Sequence, residues 1–376
     1  MPSDPSQLAA PSVRTLAPYV PGKPIEELQR EYGINDIIKL ASNENPLGPG
    51  PLARAAMARA AAEIGLYPDG GGFALKQALA RKHGCAPECI TLGNGSNDVL
   101  VMLAETFLTP SAEAVYSQYA FAVYPIAVQA TGAQARIAAA YPEDHVMALG
   151  HDLEAMARLV NERTRLVFVA NPNNPTGTWV DAAALESFIA ALPPSVIVVV
   201  DEAYIEYVED PAFADASRWL HRFANLVVTR TFSKAYGLAG LRVGYALSSA
   251  AIAGLLNRVR QAFNVNSIGL AAAVAALDDA AHLKESIVTN CAGMKQLEAD
   301  LDAMRVRRYP SRGNFILIDC RQPAGPVYEA MLRQGVIVRP VGNYQLPTHL
   351  RLTIGTQVQN ERMLAALKKS LSTPGK

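Results

Sequence analysis

Six short apolar runs, Ile90–Leu92, Ala114–Tyr116, Leu166–Ala170, Val196–Val200, Leu226–Arg230 and Val243–Leu247, alternate with helix-length stretches. Val196–Val200 is a continuous run of β-branched residues and Leu166–Ala170 is continuously apolar, the pattern of strands buried on both faces. The intervening helices are read over Val99–Phe107, Phe121–Thr131, Leu153–Val160 and Ala182–Leu192. Such alternation predicts an α/β fold: a mostly parallel, twisted sheet covered by helices on both sides.

The ends differ from this middle. Residues 1–24 are proline-rich and read as an irregular arm, followed by an amphipathic helix over Ile25–Tyr32 that Gly33 closes. Further helices are expected over Leu52–Ile64 and Phe73–His83, with a glycine-rich loop between them. A long helix over Glu285–Met304, strands over Asn314–Asp319, Val336–Arg339 and Leu350–Ile354, and a helix over Glu361–Leu371 suggest a smaller α+β domain. A helix near 250–290 is expected to bridge the two parts.

At 376 residues, half of them hydrophobic, the chain has material for one large domain and a smaller companion. The 34 basic residues match the 34 acidic ones, so nothing asks for nucleic acid or an anionic membrane as partner. No apolar run approaches the roughly 20 residues of a membrane span. Met1–Ala10 lacks the basic and apolar regions of a secretory signal. Cys85 and Cys89 are spaced C-x3-C, but no second pair or nearby histidine completes a zinc set, so reduced cysteines and no metal are expected. These features together predict a cytoplasmic location.

Four segments carry chemistry. Asp201 ends the apolar run Val196–Val200, and in open α/β sheets ligands sit beyond the carboxyl ends of strands. It could pair with a cationic ring nitrogen, or equally cap the next helix. The segment Thr229–Gly244 follows another strand and holds Thr231, Ser233, Lys234 and Arg242. Hydroxyls and a forked guanidinium suit a phosphate dianion, and a lysine among cations suits an amine nucleophile. Asn171–Gly177 reads as a turn or as a loop that puts the Asn174 amide on a cofactor oxygen. Gly93-Asn94-Gly95-Ser96-Asn97 lies between a strand and a helix, where backbone N–H groups cradle phosphate. The string is neither a dinucleotide fingerprint nor a P-loop, which argues against a Rossmann dehydrogenase.

Taken together, Asn-Asn-Pro-Thr-Gly at 173–177, Asp-Glu-Ala-Tyr at 201–204 and Ser-Lys-Ala-Tyr-Gly-Leu-Ala-Gly-Leu-Arg at 233–242 resemble the class II aminotransferases, fold type I enzymes that use pyridoxal 5'-phosphate (PLP). The resemblance spans essentially the whole chain. It implies a seven-stranded-type sheet in a large PLP-binding domain over 46–285, an arm over 1–45 that lids the substrate and contacts a second subunit, and a small domain over 286–376. It further implies that Lys234 carries the cofactor, that Asp201 pairs with the pyridine nitrogen, and that Asn174 and Tyr204 bond the phenolic oxygen. Ser96, Asn97, Thr231, Ser233 and Arg242 would hold the phosphate, and Tyr119 would stack on the ring. Tyr67 would reach the phosphate of the neighbouring subunit, which requires a homodimer.

Leu16–Pro24, Leu40–Gly48 and the strings Val338–Pro340 and Leu350–Thr356 are similar to those of the histidinol-phosphate aminotransferases. By that resemblance Tyr19, Asn43, Arg339 and Arg351 bind substrate, and an amino group moves between L-histidinol phosphate and 2-oxoglutarate in histidine biosynthesis, by ping-pong kinetics. Two anionic donors bound in turn are compatible with forked guanidinium groups. An aromatic amino-acid aminotransferase and a threonine-phosphate decarboxylase share most of these strings and stand as alternatives. A PLP-binding regulator is disfavoured by the lack of any attached DNA-binding segment.

Overall fold

Seven strands form one sheet in the order Ile90–Asn94, Val243–Ser248, Leu226–Thr231, Ile197–Asp201, Thr164–Ala170, Glu113–Ser117, Gln134–Ala138. The computed structural model describes residues 4–372 except 211 and 214. All pairings are parallel except those of Val243–Ser248, which runs against both neighbours. Each of the six apolar runs is a strand, most of them extended by a residue or two. The seventh, Gln134–Ala138, has no apolar run because it is an edge strand with only Ala138 fully buried.

Alternation along the central strands explains the two helical layers. Val167, Val169, Val198 and Val200 point into one apolar layer, and Leu166, Phe168, Ala170 and Val199 into the other. Each of the valine, leucine and phenylalanine side chains among these, all fully buried or nearly so, contributes about 1.5–3 kcal/mol for its apolar surface. Helices Ser96–Phe107 and Val123–Ala130 cover the second face, and Phe73–His83, Ala182–Ala191 and Ser267–Asp278 the first.

The carboxy-terminal part is a four-stranded antiparallel sheet in the order Arg339–Pro340, His349–Thr353, Phe315–Asp319, Arg307–Arg308. Helices Ala280–Ala303, Ala324–Leu332 and Gln357–Leu371 pack on it. The expected strand Val336–Arg339 is two: Val336–Ile337 pairs with Ile38–Lys39 of the arm, and only Arg339–Pro340 joins the larger sheet. The arm is therefore ordered into the small layer, where Leu40 joins the same core as Leu297, Ile316 and Leu352. Three helices, Ala250–Val259, Ser267–Asp278 and Ala280–Ala303, occupy the region expected to hold one bridge, and a boundary at 285/286 falls inside the last of them. No helix among the described residues is long and apolar enough to cross a membrane.

Candidate active site

A cavity of about 290 Å³ opens where the strands Thr164–Ala170, Ile197–Asp201 and Leu226–Thr231 end, between the sheet, the arm and the small layer. That is the edge at which parallel sheets present ligands. Ala170, Asp201 and Thr231, the last residues of those strands, all line it.

Asp201 and Lys234 lie on its wall. Asp201 is buried, and its carboxylate accepts from Tyr124 Oη at 2.9 Å and from Thr229 Oγ1 at 3.0 Å. Burial pushes its pKa up, against these two bonds, the Ala203 N–H and the positive Lys234. Lys234 Nζ donates to Ser42 O at 3.1 Å and sits 5.7 Å from the centre of the Tyr204 ring. Burial first, then the cations Arg351 and Arg242, lower its pKa to about 7, with Glu44 and Asp201 opposing. A substantial fraction of this lysine is thus an uncharged amine near neutral pH.

A nest of anion donors lies at another wall of the same cavity. Helix Ser96–Phe107 starts after Gly95, whose φ of +79° is left-handed. A Cβ at Gly95 would be strained at that φ and would come 2.3 Å from an Arg242 guanidinium nitrogen, so a side chain there would push that cation aside. Arg242 Nη1 donates to Ser233 Oγ at 3.2 Å, and Thr231 Oγ1 donates to the same oxygen at 2.9 Å. The helix start, two hydroxyls and a guanidinium converge as a phosphate dianion requires.

The mouth is cationic. Arg351, 6% exposed, donates to Ala41 O at 2.6 Å and to Asn174 Oδ1, and its Nε is buried without a hydrogen-bond partner among the described residues. Arg339 donates to Val20 O at 2.6 Å and lies 6.0 Å from the ring of Tyr19, itself half-exposed. Asn43, held at a φ of 55° that asparagine tolerates, donates from Nδ2 to Tyr204 Oη at 3.0 Å and is tied at 3.0 Å by Thr353. The Tyr204 proton and the Asn174 NH₂ are left free to donate into the cavity. Burial raises Tyr204 to about 12, so it keeps that proton.

Of the residues singled out in the sequence, Tyr19, Asn43, Ser96, Asn97, Asn174, Asp201, Tyr204, Thr231, Ser233, Lys234, Arg242, Arg339 and Arg351 share this one cavity. Tyr119 does not line it. After the strand Glu113–Ser117 the chain turns, with Ala120 N–H donating to Ser117 O at 3.1 Å, and Tyr119 packs instead against the cluster of Tyr309, Leu317 and Leu346. Phe121, two residues on, is the aromatic side chain of that turn that faces the cavity. Tyr67 lies elsewhere, 83% exposed and stacked on Phe263 at 4.8 Å. Sequence reading missed Phe121, Tyr124 and Thr353. The first two are apolar-looking positions next to a motif, and Thr353 meets Asn43 only through tertiary contact.

Residues 35–367 match the family model described as aminotransferase class I and II. The chain is 56% identical over 372 residues to "Histidinol-phosphate aminotransferase 2" of Pseudomonas aeruginosa, covering 98% of this chain and 99% of that one. A relative of the same description from Methylococcus capsulatus is also 56% identical, over 97% and 98% of the two chains. Among solved structures, histidinol-phosphate aminotransferase from Sinorhizobium meliloti in complex with pyridoxal-5'-phosphate superposes with a TM-score of 0.87 at 30% identity, over 96% and 97% of the chains. L-threonine-O-3-phosphate decarboxylase from Porphyromonas gingivalis shares the fold, at a TM-score of 0.78 and 20% identity, over 90% and 100%. With the match running through both the large sheet and the small layer, this chain belongs to the class I and II aminotransferases.

Proposed function

We infer that the chain is a PLP-dependent aminotransferase that moves an amino group between L-histidinol phosphate and 2-oxoglutarate. The observation that carries the reading is a buried lysine amine brought to about 7 in one cavity with a buried carboxylate, a phosphate nest and two arginines. Full-length identity of 56% to curated histidinol-phosphate aminotransferases supports this substrate.

The residues fit the cofactor on their own geometry. The Gly95 cradle, Ser96, Thr231, Ser233 and Arg242 accommodate its phosphate, and Asp201 can face its ring nitrogen. Phe121 offers an aromatic face, and Tyr204 and Asn174 offer the free donors for a phenolic oxygen. When bound, PLP supplies a carbonyl that links to amines and a cationic ring that accepts the electrons of a broken Cα–H bond.

The chain's own groups do the rest. Lys234 Nζ, uncharged in a large fraction of molecules near pH 7, takes a proton from the substrate Cα and holds it for return. Asp201, in its ionised form, would keep a proton on the ring nitrogen of a bound cofactor. Arg351 presents its unpaired Nε and, with Arg339, binds the anionic end of either donor. Tyr19 and the arm cover the mouth and exclude water.

A half-reaction assay tests the substrate. PLP-loaded protein mixed with histidinol phosphate should lose its visible absorbance at low substrate, with phenylalanine far poorer and threonine phosphate giving no carbon dioxide. Preference for phenylalanine would move the enzyme to aromatic amino acids, and carbon dioxide release would make it a decarboxylase. Arg351→Ala should raise KM for the amino donor by about tenfold to a hundredfold, from loss of a charged hydrogen bond, and leave the PLP Kd nearly unchanged. A change confined to PLP binding would show that Arg351 does not hold substrate.

The reading includes a homodimer and a cytoplasmic location. Ile64, Leu66, Tyr67, Phe73 and Phe263 form an exposed apolar surface, from 45% to 83% exposed, that a second copy would cover. The four cysteines are unpaired. Sedimentation should give a dimer, Phe73→Asp a monomer with weakened PLP binding, and Tyr67→Phe a dimer with weakened PLP binding. A wild-type monomer saturated with PLP would contradict the subunit-spanning role of Tyr67.

A further inference from the structure

Asp201 is held from behind by a residue that sequence reading did not single out. Each carboxylate oxygen has its own side-chain donor: Tyr124 Oη on Oδ2 at 2.9 Å and Thr229 Oγ1 on Oδ1 at 3.0 Å. Tyr124 is fully buried. Its ring stacks on Phe168 at 4.7 Å, nearly parallel, and meets Phe121 edge-on at 6.0 Å. Packing on two sides fixes the ring, so the hydroxyl stays on the carboxylate. A phenylalanine would fill the same apolar space, so packing does not account for the hydroxyl; the carboxylate does.

We propose that Tyr124 is a positioning residue for amino transfer, which through its hydroxyl sets the plane of the Asp201 carboxylate and keeps it ionised toward the cofactor ring. This rests on the PLP reading above. With Tyr124 and Thr229 on separate oxygens and the Ala203 N–H also on it, the carboxylate is held against rotation, and the lone pair left over can take a cationic N–H. The groups facing Asp201 are Tyr124 from the helix Val123–Ala130, Thr229 from the neighbouring strand, the N–H of Ala203, Tyr204 and the positive Lys234. Burial drives the carboxylate toward its protonated form, and the two hydroxyls and Lys234 oppose this. Tyr124, its own pKa pushed far up by burial and by Asp201, remains a donor throughout. Loss of its hydroxyl therefore raises the pH below which Asp201 is protonated.

The test compares wild type, Tyr124→Phe and Thr229→Val. PLP Kd is measured by equilibrium dialysis, and single-turnover conversion of the bound cofactor by histidinol phosphate is followed from pH 5 to 9. Tyr124→Phe should bind PLP about tenfold to a hundredfold more weakly, the loss of one hydrogen bond to a charged group. The acid limb of its rate profile should move to higher pH. Thr229→Val should move that limb the same way, and it carries the test should Tyr124→Phe not fold. In an Asp201→Asn background, Tyr124→Phe should change neither quantity further. Wild-type affinity and an unmoved acid limb in Tyr124→Phe would overturn the proposal, even if that variant melted lower. Absence of PLP binding by wild type would instead overturn the reading on which it rests.

Discussion

Lys234→Met is expected to abolish amino transfer, by a thousandfold or more, and to make the PLP-free protein more stable at pH 7. The first effect follows from the two roles proposed for Lys234, the amine that would link to the cofactor and the base that would hold the Cα proton, since general-base catalysis alone contributes about 10²–10⁴-fold. The second follows from the cost of burying an ammonium group. The pKa of Lys234 falls from 10.5 to about 7 on folding, first through burial and then through Arg351 and Arg242. The folded chain therefore holds this proton less tightly than the unfolded chain. Stability from this group is full above about 10.5 and is lost as the pH drops toward about 7. At and below pH 7 the loss is on the order of 3–5 kcal/mol. Methionine fills a similar volume with no charge and no such cost. Calorimetry of PLP-free protein should find the variant melting several degrees higher at pH 7, with the two curves converging toward pH 10.5. Equal melting temperatures at every pH would show that Lys234 is not strained by burial, and retained activity would remove it from the mechanism.

How much of this was legible in the sequence depended on whether a signal was local. The central strands were readable because burial on both faces forces continuous apolar runs such as Val196–Val200, whereas the edge strand Gln134–Ala138, half solvated and polar, left no run to read. Lys234, Asp201 and Arg242, which line one cavity, stood out as candidates because their neighbours (hydroxyls, glycines, a strand end) surround them in sequence as in space. Phe121 and Tyr119 lie two residues apart on a turn, and only the turn's path decides which ring meets the cavity and which meets Tyr309. Tyr124 meets Asp201 across 77 positions and Asn43 meets Thr353 across 310, contacts that no local pattern encodes. The two-residue strand Ile38–Lys39, beyond the irregular stretch 1–24, left no run to read because it exists only through its pairing with Val336–Ile337.

Gly244→Ala is expected to empty the cofactor site while its neighbour Gly240→Ala leaves it intact. A Cβ at Gly244 would lie 2.2 Å from the Ser96 backbone nitrogen and 2.5 Å from the Gly95 carbonyl carbon. Neither side of that contact can yield cheaply. Gly244 is held in the sheet between Gly93 and Thr231, and the helix starting at Ser96 is anchored by the buried Val99, Leu100 and Leu103. The overlap would be relieved by moving the helix start, which carries the N–H groups of the phosphate nest away from Arg242 and Ser233. Loss of two charge-assisted bonds at about 1.5–3 kcal/mol each predicts PLP binding weaker by about 10²–10⁴-fold. Overpacking should also lower stability by about 1–3 kcal/mol. At Gly240 nothing lies within 4 Å of an added Cβ, and the same methyl group should pass unnoticed in PLP affinity and melting temperature. Dialysis and calorimetry on the pair separate the two causes. A Gly244→Ala protein that melts lower yet binds PLP as wild type would mean that the strand, not the helix start, absorbs the strain, and that the phosphate nest does not depend on this contact.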